Sequence, residues 1–156
     1  MIKNITPFIP LLLLLFSCGT NSQRLNSDTL NDRAERVETL KAHIQSFSPI
    51  HDAEFKLFNV NGFNDRSMSI PGASSTNYQF AIRVDTADVS AWLSGFTEDT
   101  LAYHDIQWTH DIVKHRATNW TTTGEARHFE LSSAIQNVSI VAYYADGILF
   151  KRVIMD

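Results

Sequence analysis

Cysteine is almost missing from this chain: 156 residues hold one, Cys18, so no internal disulfide can brace the fold. Four prolines and six glycines are too few for a collagen-like chain or a Pro/Gly-rich disordered one. Basic residues are outnumbered, 13 Lys and Arg against 17 Asp and Glu, and no segment gathers them into a cluster. The electrostatic footprint of a nucleic-acid binder is therefore absent, and polybasic attachment to a membrane is equally unsupported. No apolar run approaches the roughly 20 residues of a spanning helix. The P-loop, G-x-G-x-x-G, G-x-S-x-G and H-E-x-x-H patterns are also missing, so no cofactor is expected and catalysis has no signature.

What is present begins at the N-terminus. Lys3 supplies a positive start and Phe8 to Phe16 (FIPLLLLLF) an apolar run of secretory length. Leu15-Phe16-Ser17-Cys18 follows directly. It resembles the lipobox of bacterial lipoproteins: Leu15 and Ser17 match, and Phe16 is bulkier than the usual residue. The resemblance implies lipidation of Cys18 and cleavage ahead of it, with residues 1–17 as signal peptide and 18–27 as lipidated cysteine and flexible tether. A diacylglyceryl group plus an N-acyl chain buries methylenes at about 0.8 kcal/mol each, enough for stable attachment. The location implied is the cell envelope, and the outer membrane in a host with two membranes, because Gly19 is not the retention-signal aspartate. Loss of Lys3 with the signal takes the net charge from −4 to −5.

Residues 28–156 are expected to form a single α+β domain. Leu30, Ala34, Val37, Leu40, Ile44 and Phe47 recur at spacings of three and four, which predicts an amphipathic helix from Asp28. AEFKLFNV (53–60) and YQFAIRV (78–84) predict strands, ARHFEL (126–131) a third, and Val89, Trp92, Leu93 and Phe96 a short helix with a core tryptophan. At the C-terminus Asp146-Gly147 predicts a two-residue type I′ hairpin, with Tyr143 facing Phe150 and Tyr144 facing Leu149. The expected architecture is an N-terminal helix and an antiparallel sheet of four or five strands, with helices on one side. Pro71 to Phe96 (PGASSTNYQFAIRVDTADVSAWLSGF) resembles a block found in small bacterial lipoproteins, and that resemblance carries no activity.

Two regions are candidates for function. HDIQWTHDIVKH (104–115) repeats His-Asp-Ile. As a helix at 100° per residue it brings His104, Asp111 and His115 within about 40° of one face and turns His110 away, a possible metal set. A helical surface with ordinary packing explains the same residues. The second region is the Phe63 to Asn77 connection with Pro71 and Gly72, long for a compact domain. Trp108 and Trp120 are candidate anchors for a partner. The leading expectation is a lipid-anchored envelope protein that is not an enzyme and acts through an envelope protein partner, as an accessory, inhibitor or immunity-type protein. The alternatives are a metal-dependent hydrolase using His104, Asp111 and His115, and a small-ligand or glycan binder.

Overall fold

The structure, a computed structural model, describes residues 22–63, 75–100 and 105–155. Cys18, Pro71, Gly72 and His104 lie outside the described residues. In chain order the elements are β1 (Arg24–Asn26), α1 (Arg33–Lys41), β2 (Asp52–Asn59), β3 (Thr76–Arg83), α2 (Val89–Trp92), β4 (Thr97–Asp99), α3 (Gln107–Val113), β5 (Arg127–Ser132), β6 (Gln136–Tyr143) and β7 (Ile148–Met155). The seven strands form one sheet in the order β1-β2-β3-β7-β6-β5-β4, each neighbouring pair antiparallel.

This corrects the expected α+β architecture. The fold is β-rich, and its helices, of nine, four and seven residues, cover both faces of the sheet instead of one. Alternation explains why two layers are needed. Ala53, Phe55, Leu57, Phe80, Ile82, Ile140 and Leu149 pack on one face with Val37 and Leu40 of α1 and Val89 and Trp92 of α2. Ala81, Val141, Ile148 and Phe150 point the other way, where they meet Trp108, Ile112 and Val113 of α3 and Trp120. The central strands thus carry apolar residues on both sides. Two edge strands were not legible: β1 (RLN) and β4 (TED) are three residues long, too short for alternation to register.

The N-terminal helix is shorter than its apolar spacing predicts. Asn26 caps a 3₁₀ turn over Ser27–Thr29, and Leu30 is extended (φ −103°, ψ 107°). Asp32, not Asp28, then caps α1 by accepting the Glu35 amide at 3.0 Å. A side-chain oxygen that satisfies free amides starts a helix where it stands, whatever the apolar periodicity upstream. The expected tether is corrected at its far end as well: Arg24–Asn26 is a strand, and Ser27 is fully buried.

The C-terminal hairpin forms, in a different register. Tyr143 pairs with Ile148, and Val141 with Phe150. A type I′ turn needs two positive φ values, and no non-glycine residue among those described has one. Tyr144–Asp146 instead makes a 3₁₀ turn closed by Gly147 at φ 62°. The shift from the expected register is even, so every side chain keeps its face.

Candidate functional site

At one end of the sheet four arginines converge from three separate segments. Arg33 and Arg36 come from the first turn of α1, Arg83 from the last residue of β3, and Arg116 from the 3₁₀ segment Lys114–Trp120 that follows α3. They line one open cleft of about 540 Å³ together with His51, Asp52 and the amides Asn31 and Asn119. Its floor is a buried ionic network. Glu54 is 1% exposed, accepts from Ser27 Oγ at 2.6 Å and from Arg116 at 2.9 Å, and lies 3.3 Å from Arg36 Nε. Arg36, 2% exposed, also donates to Asp52 at 2.7 Å and to the Ala53 and Asn31 carbonyls. Burial pushes the Glu54 carboxyl above the ordinary value, while Ser27, Arg36 and Arg116 pull it back.

These bonds divide the arginines by role. Arg36 and Arg116 are committed to the network and to backbone carbonyls, Arg116 reaching Leu30 O at 2.6 Å. Arg33 is exposed and makes no hydrogen bond or ion pair with the described residues. Arg83 donates to the Asn119 carbonyl at 2.5 Å and lies over the Trp120 ring at 5.8 Å. Its stem is held in place while part of its guanidinium remains open. His51 pairs with Asp85 at 2.9 Å on the rim. Within the cleft the four guanidiniums face Asp52 and Glu54, while Asp32 lies near Arg33 and Arg36 and Asp146 near Arg83. Planar forks of N–H donors at a concave surface suit a carboxylate or a phosphate, either of which can be held bidentately.

The candidates singled out in the sequence are placed differently. Trp108 and Trp120 are 8% and 4% exposed and belong to the core of the second face, so neither is a surface anchor. Asp111 and His115 take separate partners. α3 ends at Val113, which leaves α-helical geometry (φ −96°, ψ 1°), and His115 belongs to the 3₁₀ segment that follows. His115 Nε2 instead lies 3.3 Å from Asp28, and Asp111 accepts from Gln107 at 3.4 Å. Among the described residues no group of three His, Cys, Asp or Glu is placed to hold a metal ion. No run of basic residues announces the arginine cleft, because its members come from three segments that lie far apart along the chain.

No protein family model, curated protein or solved structure matches the chain. The geometry of the cleft is therefore what bears on function.

Proposed function

We propose that this is a lipid-anchored envelope protein that acts by binding, and that the arginine-lined cleft receives a short carboxylate-bearing segment of a protein partner. The observation that carries this is the pair Arg33 and Arg83, with donors left open beside a network that already neutralises Arg36 and Arg116. A net charge of −4 disfavours long polyanions, which would run from the cleft onto acidic surface. A segment with one or two carboxylates does not meet that repulsion.

Anchoring through Cys18 suits the same role. Arg24 opposes Phe58 near one end of β2, while the cleft residue Asp52 stands at the other. Eight residues of strand separate the two ends by about 23 Å at roughly 3.3 Å per residue. A lipid on Cys18 joins the chain at the first end, so the cleft belongs to the membrane-distal end. That favours a partner in the surrounding compartment over headgroups of the anchoring leaflet, and confinement raises the partner's effective concentration.

Two outcomes are expected. Cys18→Ala moves the protein from the membrane to the soluble fraction and abolishes palmitate labelling; unchanged membrane fractionation without label would refute the anchor. Binding is tested with full-length protein against a panel of Asp- and Glu-bearing peptides, a uronic-acid oligosaccharide and inorganic phosphate. Each lost charge-assisted hydrogen bond is worth about 1.5–3 kcal/mol, so Arg33→Glu with Arg83→Glu weakens the best peptide at least about a hundredfold. Retained peptide affinity in that variant refutes the cleft, and tighter binding of the sugar acid or of phosphate replaces the partner with a small ligand.

A further inference from the structure

On the opposite face of the sheet from the second tryptophan cluster, a smaller cavity of about 180 Å³ opens between the segment after α1 and strands β3 and β7. Its walls include Ile44, Phe47, Tyr78, Phe80 and Val153, and one cation, Lys151, enters it. The strand pattern explains this position. Lys151 opposes Phe80 on β3 and Ile140 on β6, so it occupies a place in a row of core side chains where an apolar residue would be usual.

Lys151 has no hydrogen bond or ion pair with any described residue. Its ammonium lies 5.0 Å from the centroid of the Phe96 ring, a contact that returns part of the cost of desolvation but accepts no N–H hydrogen bond. Burial holds its pKa below the ordinary lysine value. His43, the other titratable group at the cavity besides Tyr78, is likewise lowered by burial and sets its ring edge against Phe63. Neither supplies a negative charge. The site therefore combines apolar walls with a cation that has no counter-ion among the described residues, the reverse of the cleft at Glu54, where Arg36 and Arg116 each have one.

We propose that this cavity binds a small monocarboxylate with an apolar body of about six to eight carbons, its carboxylate on Lys151 Nζ and its tail among Phe47, Tyr78 and Phe80. The volume agrees, since an apolar cavity of about 150 Å³ holds a benzene ring. The chemistry agrees as well: a carboxylate supplies the missing acceptors, and each methylene removed from water adds about 0.8 kcal/mol. Phe47, which is 45% exposed at the mouth and edge-on to Trp92 at 5.2 Å, makes tryptophan fluorescence a reporter of occupancy.

The test uses the full chain in non-ionic detergent, titrated with sodium hexanoate and with 1-hexanol by calorimetry and tryptophan fluorescence. Hexanoate is expected to saturate at one per chain and to bind about ten- to a hundredfold more tightly than hexanol, the range of one charge-assisted hydrogen bond. Lys151→Met should erase that preference and Lys151→Arg keep it. The unliganded Lys151→Met protein should melt no lower than the parent, because it loses a partly desolvated charge that no described residue neutralises, so loss of binding cannot be ascribed to unfolding. Arg33→Glu with Arg83→Glu should leave hexanoate binding intact, which separates this site from the cleft. Equal affinity for hexanol, an unaffected Lys151→Met variant, or no saturable binding at millimolar hexanoate overturns the proposal.

Discussion

Glu54→Ala is expected to lower the unfolding free energy by about 3–5 kcal/mol, the cost of removing one partner from a buried ion pair. The side chain is 1% exposed and lies between Arg36 and Arg116. Truncating it leaves two guanidiniums facing an empty space and takes the acceptor from Ser27 Oγ, which also accepts the Phe55 amide at 2.9 Å. The loss is large because Arg36 stays buried and Arg116 half-buried, not because the intact network adds much stability. Burial, with Asp52 beside it, pushes the Glu54 pKa up against the pull of Ser27, Arg36 and Arg116. Glu54→Gln keeps an acceptor for Ser27 and should cost less, about 1–3 kcal/mol. Against a total stability of about 5–15 kcal/mol, the alanine variant should show a clear fall in denaturant midpoint. A change below about 1 kcal/mol would mean that water reaches the arginines and that the network is not sealed.

Gly147→Ala is the second large effect, at about 3 kcal/mol or more. Gly147 has φ 62°, and a Cβ built on it would lie 2.2 Å from the Val84 carbonyl oxygen. Left-handed backbone costs an L-residue about 1–2 kcal/mol, and overpacking adds about 1–3 kcal/mol. The contact is with main chain, so no rotamer change relieves it. Val84 N also donates to Gly147 O at 2.8 Å, which docks the hairpin turn on the end of β3 beside Arg83. Two controls separate strain from collision. Gly95 has φ 87°, and a Cβ there would meet nothing within 4 Å, so Gly95→Ala should cost only the backbone contribution. Asn tolerates left-handed backbone, yet Gly147→Asn should be nearly as damaging as Gly147→Ala because the Cβ is the same. A thermal melt of the three variants checks the order, and a mild Gly147→Asn would refute the steric account.

Legibility differed by feature. Tyr78, Phe80 and Ile82 announced β3, since alternation is a property of the strand itself. The same periodicity overextended the first helix, because Leu30 sits at a helical spacing from Ala34 while Asp32 captures the amide that starts the helix. Asp146-Gly147 marked a turn correctly but not its length. Asp146 is held by Thr123 and Gly124, which donate to its carboxylate at 2.8–3.1 Å, a contact from outside the hairpin. His104-Asp-Ile looked like a repeat of ligands until α3 ended at Val113 and His115 turned to Asp28.

Local order along the backbone was thus determined by the sequence itself: where chain alternates, where it can cap, and where only glycine is accommodated at a turn. The tertiary structure decided which rows of side chains are covered. Glu54 and Lys151 are charged residues on strands, and α1, the Lys114–Trp120 segment and the chain after α1 pack over them. Trp108 and Trp120 passed from candidate anchors to core for the same reason. Periodicity reports a residue's direction relative to its neighbours in sequence, whereas burial and charge convergence depend on the layer laid across that direction, and Arg33, Arg83 and Arg116 meet only once the sheet and its two layers are assembled.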